Sequence, residues 1–494
     1  MGTFTYSDLI ALNLGKLGTA VDDWKTMVSS LDTLRSDVYD GLVQKSDAAR
    51  WKGANATVTK DFVRSTAKEF LDLYAEAKSI HGVLLDAHTE LVGIQKRVKS
   101  LTEEARRGDP ARNPPDPGLL VTDGKHGTVL VQEAMCTKEG PTQRTKDRIR
   151  WYAETLTGLV AHAAEVDTTV SRALKKSHGG DPYNAGHATY TSLDEEQLPR
   201  ATRLASLGED ANDKQRAELR RLWQSLSPEA RSELWKQQKD GLLAAGLLSP
   251  SVKQIAPDGG SGQYGAESPG AAERWTRVKM KLITEGADWT DLPDASRNME
   301  HYLSNSGDPM NLPVDKMMSD DEGFRHHIED GIRQHQETWR TQALEEFKKN
   351  GGQPVAIPVE TKNVDYSFDQ ATNQNWYYAV GSTRSNITGV VTVVTDAHGN
   401  PQVGLDYQAN AWDRYNWDEG KGVNIGPMDI PDGQMARLHK TGLAQEFDMS
   451  GSSSVKHYDL GGDTPNEGPL PGPDKPGREG GRTDPTREQQ NANR

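Results

Sequence analysis

The tripeptide Trp51-Lys52-Gly53 interrupts two long segments in which apolar residues recur in alternating steps of three and four positions. Before the tripeptide the pattern has one polar exception, Arg35, and its apolar members are Leu14, Leu17, Val21, Trp24, Val28, Leu31, Val38 and Leu42. After the tripeptide its members are Val63, Thr66, Phe70, Leu73, Ala77, Ile80, Leu84, Ala87, Leu91, Ile94, Val98 and Leu101. Such spacing is typical of an amphipathic helix with one apolar seam. Because neither helix can bury its seam alone, we predict an antiparallel helical hairpin.

The break itself contains residues that are suited to reverse the chain. Gly53 lacks a Cβ atom, so it can adopt the left-handed conformation that often ends a helix. Asn55 or Thr57 can cap the helix that follows. The indole ring of Trp51 is expected to close the end of the hairpin by packing against it. Trp51 and Gly53 are therefore the candidate residues of the turn.

A second pattern follows the predicted hairpin. After a proline-rich stretch at 109–117, two short apolar runs at 118–121 and 128–131 flank a turn that contains Asp123-Gly124. Runs of this length on either side of such a turn predict a β-hairpin. Residues 149–174 then have one apolar helix face, formed by Ile149, Tyr152, Leu156, Leu159, Ala163, Val166, Val170 and Leu174.

These features carry a family resemblance. Residues 1–105, with Trp-Lys-Gly at the turn, resemble the WXG family of type VII secretion substrates. The added β-hairpin and helix make 1–176 similar to the N-terminal trafficking region of larger actinobacterial type VII effectors. The resemblance implies that the type VII machinery or a small WXG-like partner chain binds the hairpin, or that the hairpin forms a homodimer. It also implies that Trp51 and Gly53 help to present an export signal.

Composition limits the remaining functions. The chain has 494 residues, 34% of them hydrophobic, and a formal net charge of −14. Its mean hydropathy of −0.76 fits elongated helical parts and a disordered tail better than one compact domain. The acidic balance argues against a broad surface for nucleic acid or anionic membranes, although it leaves a local basic patch open.

Neither a leader nor a membrane span is expected. The first eight residues contain no basic region followed by an apolar core, and no run of about 18 apolar residues exists. We therefore expect secretion without a cleavable signal peptide, with the cytoplasm as the alternative. The single cysteine, Cys136, excludes an intrachain disulfide and a cysteine-cluster metal site. His326 and Asp330 have metal-ligand spacing but lack a third ligand in sequence, so we expect no metal and no cofactor.

We predict an α+β multidomain protein that is mainly α-helical, with a small C-terminal antiparallel β domain. Composition and periodicity divide the chain into a helical hairpin domain, a linker, a helical spacer, a Gly/Pro linker, a helical region, the β domain and a disordered tail. The predicted helical hairpin domain spans 1–176, the linker 177–197 and the helical spacer 198–255. The Gly/Pro linker spans 256–270 and the helical region 271–354. The β domain spans 355–460 and the disordered tail 461–494.

The predicted β domain has its own internal signals. Residues 375–380 and 387–394 are rich in aromatic and β-branched residues, which favour strands. Residues 396–401 form a turn signal, and the alternation from Val403 to Ala409 is typical of a half-buried strand. A helix is expected near 435–445.

The candidate for chemistry in this domain is the stretch 412–418 together with a later histidine. Asp413 and Asp418 can pair with His439 as an acid/base set, and Tyr415 lies between them in sequence. Asp413-x-Tyr415 resembles the start of the D-x-Y-D segment of colicin M-type lipid II phosphodiesterases. Asn416 replaces the final Asp, so we do not transfer that activity. The alternatives are a purely structural aromatic strand end and a carbohydrate- or peptide-binding surface.

Two classes of function remain on these grounds. The first is a type VII-exported protein whose C-terminal domain is an interaction domain or a toxin-like effector domain of unassigned activity. The second is a non-enzymatic assembly or binding protein in the cytoplasm or at the envelope. Both share the same N-terminal hairpin and differ in what the C-terminal half does.

Overall fold

The computed structural model of the protein describes residues 4–108, 117–134, 143–177, 190, 192–249, 260–284, 292–417, 422–425, 428–462 and 464–474. The chain divides into two compact units, Met1–Leu247 and Leu248–Arg494. The α+β multidomain class is confirmed, because the first unit is mainly helical and the second contains the larger sheet. The unit boundary lies at 247/248, before the predicted Gly/Pro linker at 256–270.

The predicted helical hairpin is present in the first unit. Its helices are α1 (Tyr6–Ala11), α2 (Leu14–Val38), α3 (Gln44–Ala48) and the 54-residue α4 (Ala54–Arg107). The two arms run antiparallel: Gly18 lies beside His88, whereas Asp47 forms an ion pair with Arg64 at 2.9 Å. The chain thus reverses between α3 and α4, as the tripeptide predicts.

A π-helical turn at Tyr39–Val43 changes the register of the first arm. This turn has one residue more than an α-helical turn, so the apolar seam moves by one position. As a result Val43 is buried, while Leu42 is half exposed. The prediction that Leu42 belongs to the seam is therefore wrong, because a strict three-four repeat assumes an unbroken α-helix.

The seam is not buried evenly along α4. Its C-terminal half is buried at Val83, Ala87, Leu91, Ile94, Val98 and Leu101, where a third layer packs on it. That layer consists of the predicted β-hairpin, β1 (Leu119–Asp123) and β2 (Val129–Glu133), and α5 (Gln143–Ser177). By contrast, no residue of α4 before Ala77 is buried. We call residues 21–75 the stem, where the first arm and the N-terminal part of α4 share the seam.

The predicted helical spacer, 198–255, belongs to the first unit up to Leu247. It forms α6 (Asp194–Ala205), α7 (Asp213–Ser225) and α8 (Pro228–Ala244). Ser227 accepts a hydrogen bond from the backbone of Ala230, and Pro228 is the first residue of α8, a position at which its missing N–H costs nothing. Arg200 of α6 pairs with Glu165 of α5 at 2.8 Å, so α6 packs on the hairpin domain. Most of the predicted linker 177–197 lies outside the described residues, but its last four residues are helical.

The second unit begins with helices and continues as a sheet. The helices are α9 (Ala271–Thr284), α10 (Pro293–Ser304), α11 (Val314–Asp320), α12 (Glu322–Lys349), α13 (Gln374–Ala379) and α14 (Asp432–Lys440). The strands are β3 (Met310–Asn311), β4 (Val355–Glu360), β5 (Val364–Ser367), β6 (Ser382–Thr395), β7 (Pro401–Tyr415), β8 (Gly422–Ile425), β9 (Met428–Pro431), β10 (Phe447–Ser452) and β11 (Lys456–Gly461). The main sheet has the order β3-β10-β7-β6-β4, with β11 paired to β7 and β5 to β6.

Helices and sheet of this unit share one core. Phe324, Ile328 and Ile332 of α12 are buried against Ile387, Val391 and Leu405 of the sheet. The prediction of a helical region 271–354 separate from a β domain 355–460 is therefore wrong. A long amphipathic helix next to a sheet buries its seam on the sheet, which a division by periodicity does not anticipate.

The long β6–β7 hairpin confirms two predicted strands and the turn between them. The carboxylate of Asp396 accepts hydrogen bonds from the backbone of His398 and Asn400 at 2.8 Å, which closes that turn. The stretch 375–380, which favours a strand by composition, is instead mostly helix α13. The side chain of Asn373 caps this helix by accepting from the backbone of Trp376. Here a local cap overrides the strand propensity of aromatic residues.

Two segments that the sequence assigns to linker or tail are packed. Residues 260–270 bond to the region around α14: Gly265 donates to the carbonyl of His439, and Glu267 to that of Lys440. Residues 464–474 are held by Arg333, which donates to the carbonyl of Gly468 at 2.7 Å. The prediction of disorder from 461 is thus wrong up to 474, and 475–494 lie outside the described residues.

Candidate functional site

The turn of the hairpin presents Trp51 to solvent. Its side chain is 59% exposed, so the prediction that the ring plugs the hairpin end is wrong. Gly53 stands directly before α4 with φ 103° and ψ 174°, a backbone conformation that a residue with a Cβ rarely adopts. Gly53 itself is the N-cap, and neither Asn55 nor Thr57 has that role.

Further apolar side chains are exposed near the turn and along both arms. On both arms, large side chains face water where a two-helix stem cannot cover them, namely Met27, Leu34, Tyr39, Leu42, Val58, Phe62, Leu71 and Leu73. Large apolar surfaces that a protein leaves exposed often mark sites where a partner binds. We call Trp51 together with these residues the apolar tip.

In the second unit, Tyr415 is part of an aromatic core. Its ring stacks on Phe447 with a centroid distance of 5.1 Å and meets Trp417 edge-on at 6.0 Å. Burial raises the pKa of Tyr415 well above its ordinary value. Trp412, Tyr415 and Trp417 are all buried, so their rings do not form the exposed carbohydrate- or peptide-binding surface that the sequence left open.

His439 is also buried, and backbone groups occupy both of its ring nitrogens. The Nδ1 atom accepts a hydrogen bond from the backbone of Glu446 at 3.2 Å. The Nε2 atom must then carry the proton, which it donates to the carbonyl of Gly262 at 3.0 Å. The ring of Tyr264 packs on it at 5.5 Å. In this arrangement His439 fixes the 260–267 segment and has no nitrogen left to accept a proton from a substrate.

The carboxylate that approaches His439 is Glu446, which sequence reasoning missed. Its side chain is fully buried, and one oxygen lies 3.8 Å from the Nε2 atom of His439. It accepts a hydrogen bond from the backbone of Ser261 at 2.9 Å and pairs with Arg414 at 3.4 Å. No local pattern signals this role, because its partners lie 7, 32 and 185 residues away in the chain.

Of the two candidate aspartates, the structure describes one. Asp413 is half-buried on β7, in register with Met449 of β10. Asp418 lies outside the described residues. The structure thus brings Tyr415 and His439 into one packed region, with Glu446 in place of the expected aspartates. Among the described residues no group of three acidic, histidine or cysteine side chains could hold a metal ion, and no helix is long and apolar enough to cross a membrane.

A hydrogen-bonded row of polar side chains crosses the sheet on the face opposite α12. Ser452 of β10 donates to Asn410 of β7 at 2.7 Å, and Asn410 donates to Asn386 of β6 at 3.0 Å. Asn386 then donates to Glu360 of β4 at 3.0 Å, and this last residue is exposed. The row satisfies buried amides and fixes the strand register. Single-strand alternation could not reveal it, because its members come from four strands.

The first unit contains a buried polar cluster between the hairpin and α6–α8. The Nε2 atom of His162 on α5 lies 3.2 Å from a carboxylate oxygen of Glu90 on α4. Burial, together with Arg221 and Arg231, lowers the pKa of His162 from 6.5 to about 4. Burial raises the pKa of Glu90 from 4.5 to about 6, although Arg231 opposes this.

These two shifts predict how His162→Gln changes the response to acid. As the pH falls from 6.5 to 4, the unfolded chain protonates His162 before the folded protein does, which lowers stability. Glu90 has the opposite effect between pH 6 and 4.5, because the folded protein binds that proton first. Between pH 6.5 and 4, the free energy of unfolding of His162→Gln should therefore rise, relative to that of the natural protein, by on the order of 2–3 kcal/mol. Denaturant unfolding of both proteins across this range measures it, and parallel pH curves would contradict it.

No protein-family model matches the chain, and neither the curated proteins nor the solved structures include a match to it.

Proposed function

We propose that this protein is exported by a type VII system and that its second unit is an interaction domain or a toxin-like effector domain. The apolar tip, with Trp51 exposed at the turn, is the observation that carries the export proposal. A ring that is not needed to close the hairpin is available to bind a partner. The candidate partners are the secretion machinery, a small WXG-like chain or a second copy of the hairpin.

The contrast along α4 supports this assignment. Where α5 and the β-hairpin pack on α4, most of its seam is buried, whereas no residue of α4 before Ala77 is buried. An apolar surface that its own chain leaves open fits an obligatory partner better than it fits a free monomer. Secretion without a cleavable signal peptide follows from the same proposal.

Trp51→Ala should separate signalling from stability. Because the side chain is largely exposed, we expect the free energy of unfolding to change by no more than about 0.5 kcal/mol. Export, measured as the fraction of protein in the culture medium of a strain with a working type VII system, should fall at least tenfold. Deletion of the type VII ATPase should have the same effect on the natural protein.

Leu130→Ala is the matched control, since Leu130 is a half-exposed apolar residue on the β-hairpin of the same unit. It should leave export unchanged. Equal export of the natural protein and Trp51→Ala, or export that persists without the ATPase, would overturn the proposal and favour a cytoplasmic location.

The second candidate is a non-enzymatic assembly or binding protein of the cytoplasm or envelope. The hydrogen bonds of His439 favour this second function, because both of its ring nitrogens bond to backbone groups and not to a catalytic side chain. An experiment that distinguishes the two candidate functions is to produce the full chain in a susceptible bacterium, either in the cytoplasm or directed to the periplasm. Growth arrest that Asp413→Asn relieves supports the effector, whereas normal growth with folded protein in both compartments supports the binding protein.

A further inference from the structure

Helix α9 exposes large apolar side chains on the face that points away from the core. Trp275 is 68% exposed and Leu282 is 64% exposed, and Val278 lies between them, half exposed. Their spacing of three and four residues places them in one stripe along the helix. The opposite face is buried through Met280 and Ile283, so the helix is anchored in the unit while the stripe faces water.

Basic side chains lie beside this stripe. Arg274 and Lys281 are exposed beside it, and α9 has four basic side chains but one acidic one, Glu273. Glu273 is engaged elsewhere: it accepts hydrogen bonds from Arg437 at 2.8 Å and from the backbone of Gly270 at 2.9 Å. A chain with a net charge of −14 thus carries a local basic and apolar surface.

A shallow groove of about 480 Å³ adjoins the N-terminal end of the stripe. Pro269, Gly270 and Ala271 form one part of its lining, and Arg274, Trp275 and Val278 form the other. The groove therefore places apolar surface and a guanidinium next to each other.

We propose that this face of α9 binds the surface of an anionic lipid bilayer. Trp275, Val278 and Leu282 enter the interfacial region, where an indole ring is favoured, and Arg274 and Lys281 contact lipid phosphates. Three side chains cover far less than the roughly 800 Å² per partner of a stable protein interface, whereas interfacial binding needs no such area. The proposal concerns the second unit and does not depend on how the protein is exported.

Flotation of the purified full chain with vesicles tests this proposal. Vesicles of phosphatidylglycerol and phosphatidylcholine in equal amounts should bind the protein, and vesicles of phosphatidylcholine alone should bind it much more weakly. Arg274→Gln with Lys281→Gln should weaken binding roughly 30-fold at low salt, because each cation near the surface contributes about fivefold. Trp275→Glu with Leu282→Glu should abolish detectable binding. A salt concentration of 0.5 M should weaken the binding of the natural protein to the anionic vesicles.

Val364→Glu is the matched control, since it changes a half-exposed apolar residue of the same unit and should bind normally. Circular dichroism checks that each variant is folded. Absence of flotation, or equal flotation of Trp275→Glu/Leu282→Glu and the natural protein, would overturn the proposal. Self-association that this double variant removes, without any lipid, would overturn it in favour of a protein interface.

Discussion

Trp376→Ala should lower the free energy of unfolding by about 4–5 kcal/mol. The indole is fully buried on α13 and packs near the ring of Phe368 at 6.2 Å. Its Nε1 atom donates to a carboxylate oxygen of Asp320 at 3.1 Å, and the ammonium of Lys316 lies 4.9 Å from its ring centroid. Removal of the ring leaves a large cavity, loses this hydrogen bond and takes away the cation–π contact.

Chemical denaturation of the full chain, followed by circular dichroism, measures this loss. Trp376→Phe retains most of the ring volume and should lose only about 1–2 kcal/mol, chiefly through the missing N–H donor. Gln374 is exposed on the same helix, so Gln374→Ala should change the free energy of unfolding by less than about 0.5 kcal/mol. A loss below 1 kcal/mol for Trp376→Ala would contradict the packing of α13.

Glu446→Ala should lower the free energy of unfolding by about 4 kcal/mol, because it breaks a buried and hydrogen-bonded charge pair. The backbone N–H of Ser261 would lose its acceptor, and Arg414 would lose this partner while it keeps Asp448, at 3.3 Å. The same change should release the 260–267 segment, which we expect to become sensitive to proteolysis in the otherwise folded protein. Limited digestion and denaturation curves measure the two effects.

Asp448→Ala is the control for this second prediction, since Asp448 pairs with the same arginine but is exposed. It should cost no more than about 0.5 kcal/mol and leave the segment protected. Equal protease sensitivity of Glu446→Ala and the natural protein would show that other contacts hold the segment.

The parts of the fold that the sequence predicts best are those that depend on local periodicity. The two arms, the turn at Gly53, the β1–β2 hairpin and the β6–β7 hairpin all follow from repeats and turn residues within about 50 positions. The prediction fails at Leu42, where a single π-helical turn shifts the repeat. It fails again at Trp376, where the cap from Asn373 decides for helix against an aromatic composition that favours strand.

The parts of the fold and of the candidate site that the sequence does not predict depend on contacts between residues far apart in the chain. Glycine-rich composition marks 260–270 as a linker, yet its backbone groups bond to His439, Lys440 and Glu446. Composition counts side chains, whereas these bonds use main-chain atoms that every residue has. For the same reason the sequence could select His439 as a candidate but could not supply its true partners, Gly262 and Glu446.

The stem of the hairpin has a consequence for dynamics. Because no residue of α4 before Ala77 is buried, local opening of the stem should cost less free energy than unfolding of the half of α4 that α5 and the β-hairpin cover. Amide hydrogens of residues 54–75 should therefore exchange with solvent sooner than those of residues 83–105. A partner that covers the apolar tip would at the same time order the most easily opened part of the unit, so recognition and local folding would be thermodynamically linked.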